Sequence, residues 1–182
     1  MIILFIGLGI AVIMGIGGDV SATESLRAQR QAFQIAERSL QVGASLDYAA
    51  LRDYPLYPYL VYRDLSRRLH EFPAAEVRDF LQIWTDTPLA DRLRNAWLRQ
   101  LAGAGRWADY LRDAVPGGDP DFECWRRQAL LNTDQTEAAL QDFAALWLTG
   151  RSLPNACDPV IAVWQTQGHL SPELRWQRCA LA

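Results

Sequence analysis

Few residues in this 182-residue sequence have types that start chemistry near neutral pH: two His, three Cys and 21 acidic side chains. His70 and His169 are far apart in the chain. No HExxH or CxxC spacing gathers ligands for zinc, and no Gly-x-Ser-x-Gly elbow presents a Ser nucleophile. Gly7, Gly9, Gly15, Gly17 and Gly18 lie in the apolar opening segment, where they cannot form a phosphate-cradling turn between a strand and a helix. His169, beside Gly168, reads as a surface residue at a helix end. The Asp and Glu residues are spread over helix surfaces as solvated faces. The residues therefore predict no catalytic group, no metal site and no cofactor.

Cysteine chemistry depends on the compartment. In a reducing one, Cys124, Cys157 and Cys179 read as buried free thiols. In an oxidising one, Cys124 and Cys157 can pair across adjacent helical repeats, which leaves Cys179 odd, a small apolar helix residue. The residues alone leave both possibilities open.

The opening segment bears on that choice. Ile2 to Gly18 is apolar throughout, and Val20-Ser21-Ala22 offers small residues to a signal peptidase. Residues 1–22 read as a secretory signal cleaved after Ala22, or as a retained N-terminal anchor, with residues 23–182 forming one domain. Against export, no Arg or Lys precedes the apolar run, while Arg27, Arg30 and Arg38 follow it. The formal charge of −3 argues against a nucleic-acid partner. All 18 basic residues are Arg, which biased genomic composition explains more simply than function.

The elements that would position any site are helical. Half the chain is apolar, and seven Trp, six Tyr and six Phe supply surface worth burying. Leu89, Leu93, Trp97 and Leu101 form a stripe on one helix face. Leu140, Phe143, Ala144 and Trp147 predict another, as do Val61, Leu65 and Leu69. Thr87-Pro88, Asp158-Pro159 and Ser171-Pro172 each place a capping oxygen before a proline, and Asp134 with Glu137 has capping-box spacing. Gly43, Gly103, Gly105, Gly150 and Gly168 mark stops. No segment alternates as a strand does. The prediction is all-α: roughly nine or ten helices of about 8 to 17 residues, joined by short turns.

Such short helices cannot bury their apolar faces alone, so they predict a superhelical α-solenoid of helical hairpins, with a compact helical bundle as the alternative. A faint period of about thirty residues relates the segments ending at Leu51, Leu111 and Leu140. Gly105-Arg-Trp-Ala-Asp-Tyr-Leu111 is tetratricopeptide-like.

Two longer stretches carry a specific resemblance. Leu51-Arg-Asp-Tyr-Pro-Leu-Tyr-Pro-Tyr-Leu-Val-Tyr-Arg-Asp-Leu65 is the first, and Gly150-Arg-Ser-Leu-Pro-Asn-Ala-Cys-Asp-Pro159 the second. The second is followed by Trp164, Gly168 and Ser171 to Trp176. Together they resemble the N-terminal superhelical domain of soluble lytic murein transglycosylases, over about Ala32 to Leu181. The matching residues Tyr54, Pro55, Tyr57, Pro58, Tyr59, Arg151, Pro154, Asp158 and Pro159 are expected to be structural. Pro55 and Pro58 should hold an extended segment, with Tyr54, Tyr57, Tyr59 and Tyr62 packed as an aromatic corner; the alternative is a sugar-stacking platform.

The resemblance implies a U-shaped helical domain, part of a ring, that carries a lysozyme-like domain. It implies a periplasmic enzyme that cleaves peptidoglycan glycan strands to 1,6-anhydro ends with a single Glu, where ordinary glycosidases use two carboxylates. It favours the Cys124–Cys157 pair. The family's catalytic Glu stands in a Gln-Glu-Ser context, whereas the Glu-Ser pair here, Glu24-Ser25, follows the cleavage site and reads as coincidence. Residues 23–182 are thus expected to be a scaffold truncated before the linker and lysozyme-like domain, and inactive alone. Its expected partners are glycan strands, bound weakly, and a catalytic domain or other envelope proteins. The alternative is an independent envelope solenoid that binds a protein partner.

Overall fold

The computed structural model describes residues 18–44, 47–117 and 119–181. The leader expected over residues 1–22 lies outside them as far as residue 17. The described residues are helical, with no strand. Two compact units divide the chain at Leu60 and Val61.

The first unit contains α1 (Gly18–Gln41), a 3-10 turn at Ala49–Leu51 and the start of α2 (Tyr57–Arg68). The expected cleavage point after Ala22 thus falls within a helix. Phe33, Ala36 and Leu40 recur along one face of α1 and bury against Leu51 and Leu60. Gly43 closes α1 with a left-handed φ of 78°.

The second unit continues through α3 (Ala74–Ile83), α4 (Pro88–Gly103), α5 (Trp107–Asp113) and α6 (Pro120–Leu131). It ends with α7 (Thr136–Leu140), α8 (Phe143–Trp147), α9 (Asp158–Thr166) and α10 (Pro172–Leu181). Consecutive helices pack on one another from α3 to α7, and α6 also meets α9, the neighbour-on-neighbour stacking of an α-solenoid. The α4 stripe lies as expected, with Leu93, Trp97 and Leu101 fully buried. This core joins Leu65, Val77, Phe80 and Tyr110. A second cluster unites Leu140, Phe143, Val160, Trp164 and Leu170.

The proline caps divide. Thr87 Oγ1 accepts from the Ala90 N–H at 3.2 Å, and Ser171 Oγ accepts from the Leu174 N–H at 3.2 Å, as expected. Asp119, in the same setting before Pro120, accepts from the Asp121 N–H at 2.9 Å. Asp158 does not cap: a 3-10 turn at Asn155–Cys157 already leads into α9, so Asp158 is its first residue and Cys157 precedes it without a capping side-chain hydrogen bond. The Asp134–Glu137 box is also absent. Asp134 has left-handed φ (59°) just after α6, and Gln135 precedes α7.

The continuous helix expected through Leu140, Phe143 and Trp147 is broken in two. Gln141 is extended and Asp142 left-handed between α7 and α8, both of which have five residues, shorter than the expected range. The thirty-residue period is correspondingly partial: Leu111 and Leu140 lie in α-helices, but Leu51 lies in a 3-10 turn.

Candidate functional site

The first signature forms turns where an extended segment was expected. The Tyr54 N–H donates to Leu51 O and the Tyr57 N–H to Tyr54 O, each at 2.8 Å, so Pro55 sits inside consecutive turns. Pro58 is the second residue of α2, where a missing N–H leaves no helical bond unmade. Only part of the expected aromatic corner forms: Tyr54 lies 5.5 Å from Phe33 and Tyr57 5.9 Å from Tyr48, centroid to centroid, around the core of the first unit. Tyr59 turns outward, 49% exposed. Tyr62 packs on the core of the second unit.

The second signature serves as a clasp. The Sγ atoms of Cys124 and Cys157 are bonded, both residues fully buried, with Cα atoms 4.8 Å apart. The turn that delivers Cys157 closes with its N–H donating to Pro154 O at 2.8 Å. The Gln128 amide donates to Ala156 O in the same turn, so α6 grips it by bridge and hydrogen bond. Asp158 and Pro159 are exposed at the head of α9. Arg151 offers its carbonyl to Arg178 at 3.1 Å. Gly150 (φ 66°) lies so near α10 that an added Cβ would meet Leu181 O at 2.9 Å. Arg178 rests 4.1 Å from the Trp147 ring centroid, which fixes α10 over α8. Cys179 is the unbridged cysteine and a residue of α10, as expected of the oxidised pairing, and it is exposed.

Arg127 was not singled out from the sequence, although Glu123 four residues earlier is a visible helix-pair spacing. At 7% exposure it is the buried charged residue among the described residues of the second unit. Its Nε donates to Glu123 at 2.9 Å, and one Nη donates to Ala139 O at 2.7 Å and Gln141 O at 2.8 Å. Its guanidinium also lies 5.4 Å from the Phe143 centroid. Arg127 therefore satisfies carbonyls released where α7 ends.

Burial pushes the Glu123 carboxyl upward, but hydrogen bonds and charge from Arg126 and Arg127 outweigh it and hold the group below the ordinary glutamate range. A lowered folded pKa gives stability that is present above the unfolded value and lost as pH falls through the folded one. Glu123→Gln should therefore flatten the acid limb of a melting-temperature series below about pH 4.5. An unchanged limb would contradict this pairing.

Glycan cleavage needs the opposite, a carboxylic acid kept protonated in an apolar cleft. Glu71, Glu76 and Glu137 are exposed. Glu173 is also exposed and is held low by its own backbone N–H and the Ser171 hydroxyl. Glu24-Ser25 is exposed within α1. His70 and His169 are exposed, and among the described residues no group of three or more His, Cys, Asp or Glu could hold a metal ion. No helix among them is long and apolar enough to cross a membrane.

Several hollows open among the described residues. One of about 390 Å³ lies in the first unit between α1 and the Ala49–Leu51 turn, lined by Ala32, Ile35 and Tyr48. In the second unit, a hollow of about 290 Å³ lies beside α4, with Arg94, Asn95 and Arg99 on one side and Val115 and Phe122 on the other.

Comparison with known proteins separates two signals. A family profile described as Cucumovirus coat protein matches residues 126–182, less than a third of the chain, and does not show a family. The soluble lytic murein transglycosylase of Escherichia coli K12 is 35% identical over 170 residues, which cover 90% of this chain. Its Salmonella typhimurium counterpart is 38% identical over 133 residues, 72% of this chain. Among solved structures, the 70 kDa soluble lytic transglycosylase of E. coli superposes with TM-score 0.76 at 32% identity, over 86% of this chain and 26% of that one. The Pseudomonas aeruginosa lytic transglycosylase Slt, an inactive mutant, gives 0.71 at 35% identity, over 82% and 25%. A complex of the 70 kDa enzyme with bulgecin A matches similarly, with TM-score 0.75. Sequence and fold agree over most of the chain, which outweighs the short coat-protein match. The chain spans about a quarter of the length of these relatives.

Proposed function

We propose that this chain, a homologue of the soluble lytic murein transglycosylases, serves as a non-catalytic helical scaffold of a periplasmic enzyme that acts on peptidoglycan. The observation that carries the reading is the agreement of sequence and fold over more than four-fifths of the chain. The buried Cys124–Cys157 bridge supports an oxidising compartment. The exposed or arginine-paired carboxylates among the described residues support a guiding role, because Glu71, Glu76, Glu123, Glu137 and Glu173 lack the apolar seat of a general acid.

The expected result is that the purified protein releases no 1,6-anhydro-muropeptides from sacculi above background. Release would overturn the non-catalytic reading. Replacing Glu71, Glu76, Glu123, Glu137 and Glu173 in turn would then locate the acid.

A further inference from the structure

We propose that the hollow beside α4 binds a carboxylate carried on a short apolar group, the free end of a short peptide. The inference rests on the peptidoglycan reading, since peptidoglycan glycan strands bear short peptides.

Arg94, Asn95, Leu98 and Arg99 share one face of α4 at helical spacing, and Phe122 of α6 faces them across the hollow. Arg99 carries the argument. Its guanidinium lies 5.1 Å from the Phe122 centroid, and no carboxylate among the described residues pairs with it. Stacking on a ring orients the guanidinium while leaving its N–H groups to a ligand. A carboxylate matches that planar fork by two parallel hydrogen bonds.

The neighbouring charges leave room for an anion. Arg94 is held by Asp91 at 3.1 Å, one turn away on the same exposed helix surface, a pairing that solvent weakens. The Asp119 carboxylate also lines the hollow, but it accepts from the Asp121 N–H at 2.9 Å as the cap of α6. Leu98, Val115 and the Phe122 ring provide apolar surface beside the guanidiniums, suited to a methyl-sized substituent next to the carboxylate.

N-acetyl-D-alanyl-D-alanine, titrated into the full chain with amide chemical shifts followed by NMR, tests the assignment. Saturable shifts are expected at Arg94 to Arg99 and at Phe122. Converting the probe's carboxylate to an amide, or making Arg99→Gln, should weaken binding by about tenfold or more. Arg99 is exposed, so Arg99→Gln should keep the wild-type circular dichroism and melting temperature; Arg94→Gln provides a second variant if it does not. Absence of shifts, equal binding of the amide, or undiminished binding by both variants would overturn the proposal. Sedimentation with sacculi separates the two readings. A protein that sediments but gives no probe shifts has the scaffold role without this site. One that binds the probe but not sacculi keeps the site and loses the peptidoglycan reading.

Discussion

Trp97→Ala should destabilise the second unit by about 3–5 kcal/mol, the range for removing a large aromatic side chain from a packed core. Trp97 is fully buried in the middle of α4. Its ring meets Phe72 edge-on at 6.2 Å. Its Nε1–H donates to Asp113 Oδ2 at 2.8 Å, and the other oxygen of that carboxylate accepts from Arg78 Nε at 2.7 Å. One side chain thus links α4 to α5, and through Asp113 to α3. Trp97→Phe separates the two contributions: it keeps most of the apolar contact but withdraws the donor, and should cost about 1–3 kcal/mol. Urea unfolding monitored by circular dichroism gives both values. A cost below about 1 kcal/mol for the alanine variant would mean that this core is not packed as described.

Breaking the Cys124–Cys157 bridge should have an effect of similar size. Its residues are 33 positions apart, and the chain-entropy estimate for such a loop is roughly 3–4 kcal/mol. The bridge also holds the turn before α9, so its loss frees the Gln128 contact and the approach of Val160 and Trp164 to their cluster. Serine at both positions should lower the urea midpoint in non-reducing buffer, and dithiothreitol should then have no further effect. In the native protein, alkylation without denaturant should label Cys179 alone, because it is the exposed cysteine. A non-reduced digest with Cys179 in a bridge would contradict the pairing.

What the sequence revealed follows the range of each interaction. Thr87-Pro88 and Ser171-Pro172 were readable because a cap acts over three residues. The α4 stripe was readable because one periodic face meets one core. The interruption at Gln141 and Asp142 was not, since neither Gly nor Pro marks it. Its stabilising donor is Arg127, which reaches Ala139 O and Gln141 O from another helix. Asp158-Pro159 misled for a related reason: the chain was already turning at Asn155 to deliver Cys157. The two signatures were legible as sequence, but Tyr59 faces outward and Pro55 occupies turns, which depend on how the Tyr54 and Tyr57 rings pack around Phe33, Leu51 and Leu60. The hollow beside α4 was hidden because Arg99 and Phe122 meet only after α4 and α6 are placed.

The proposed scaffold role requires that this helical chain recognise peptidoglycan. Co-sedimentation of the purified protein with isolated sacculi, at low salt and again at high salt, tests it most directly. Saturable sedimentation that weakens with added salt is expected, because exposed arginines would make part of the contact. A protein that stays wholly in the supernatant at low salt, while showing its helical spectrum and intact bridge, would contradict the account.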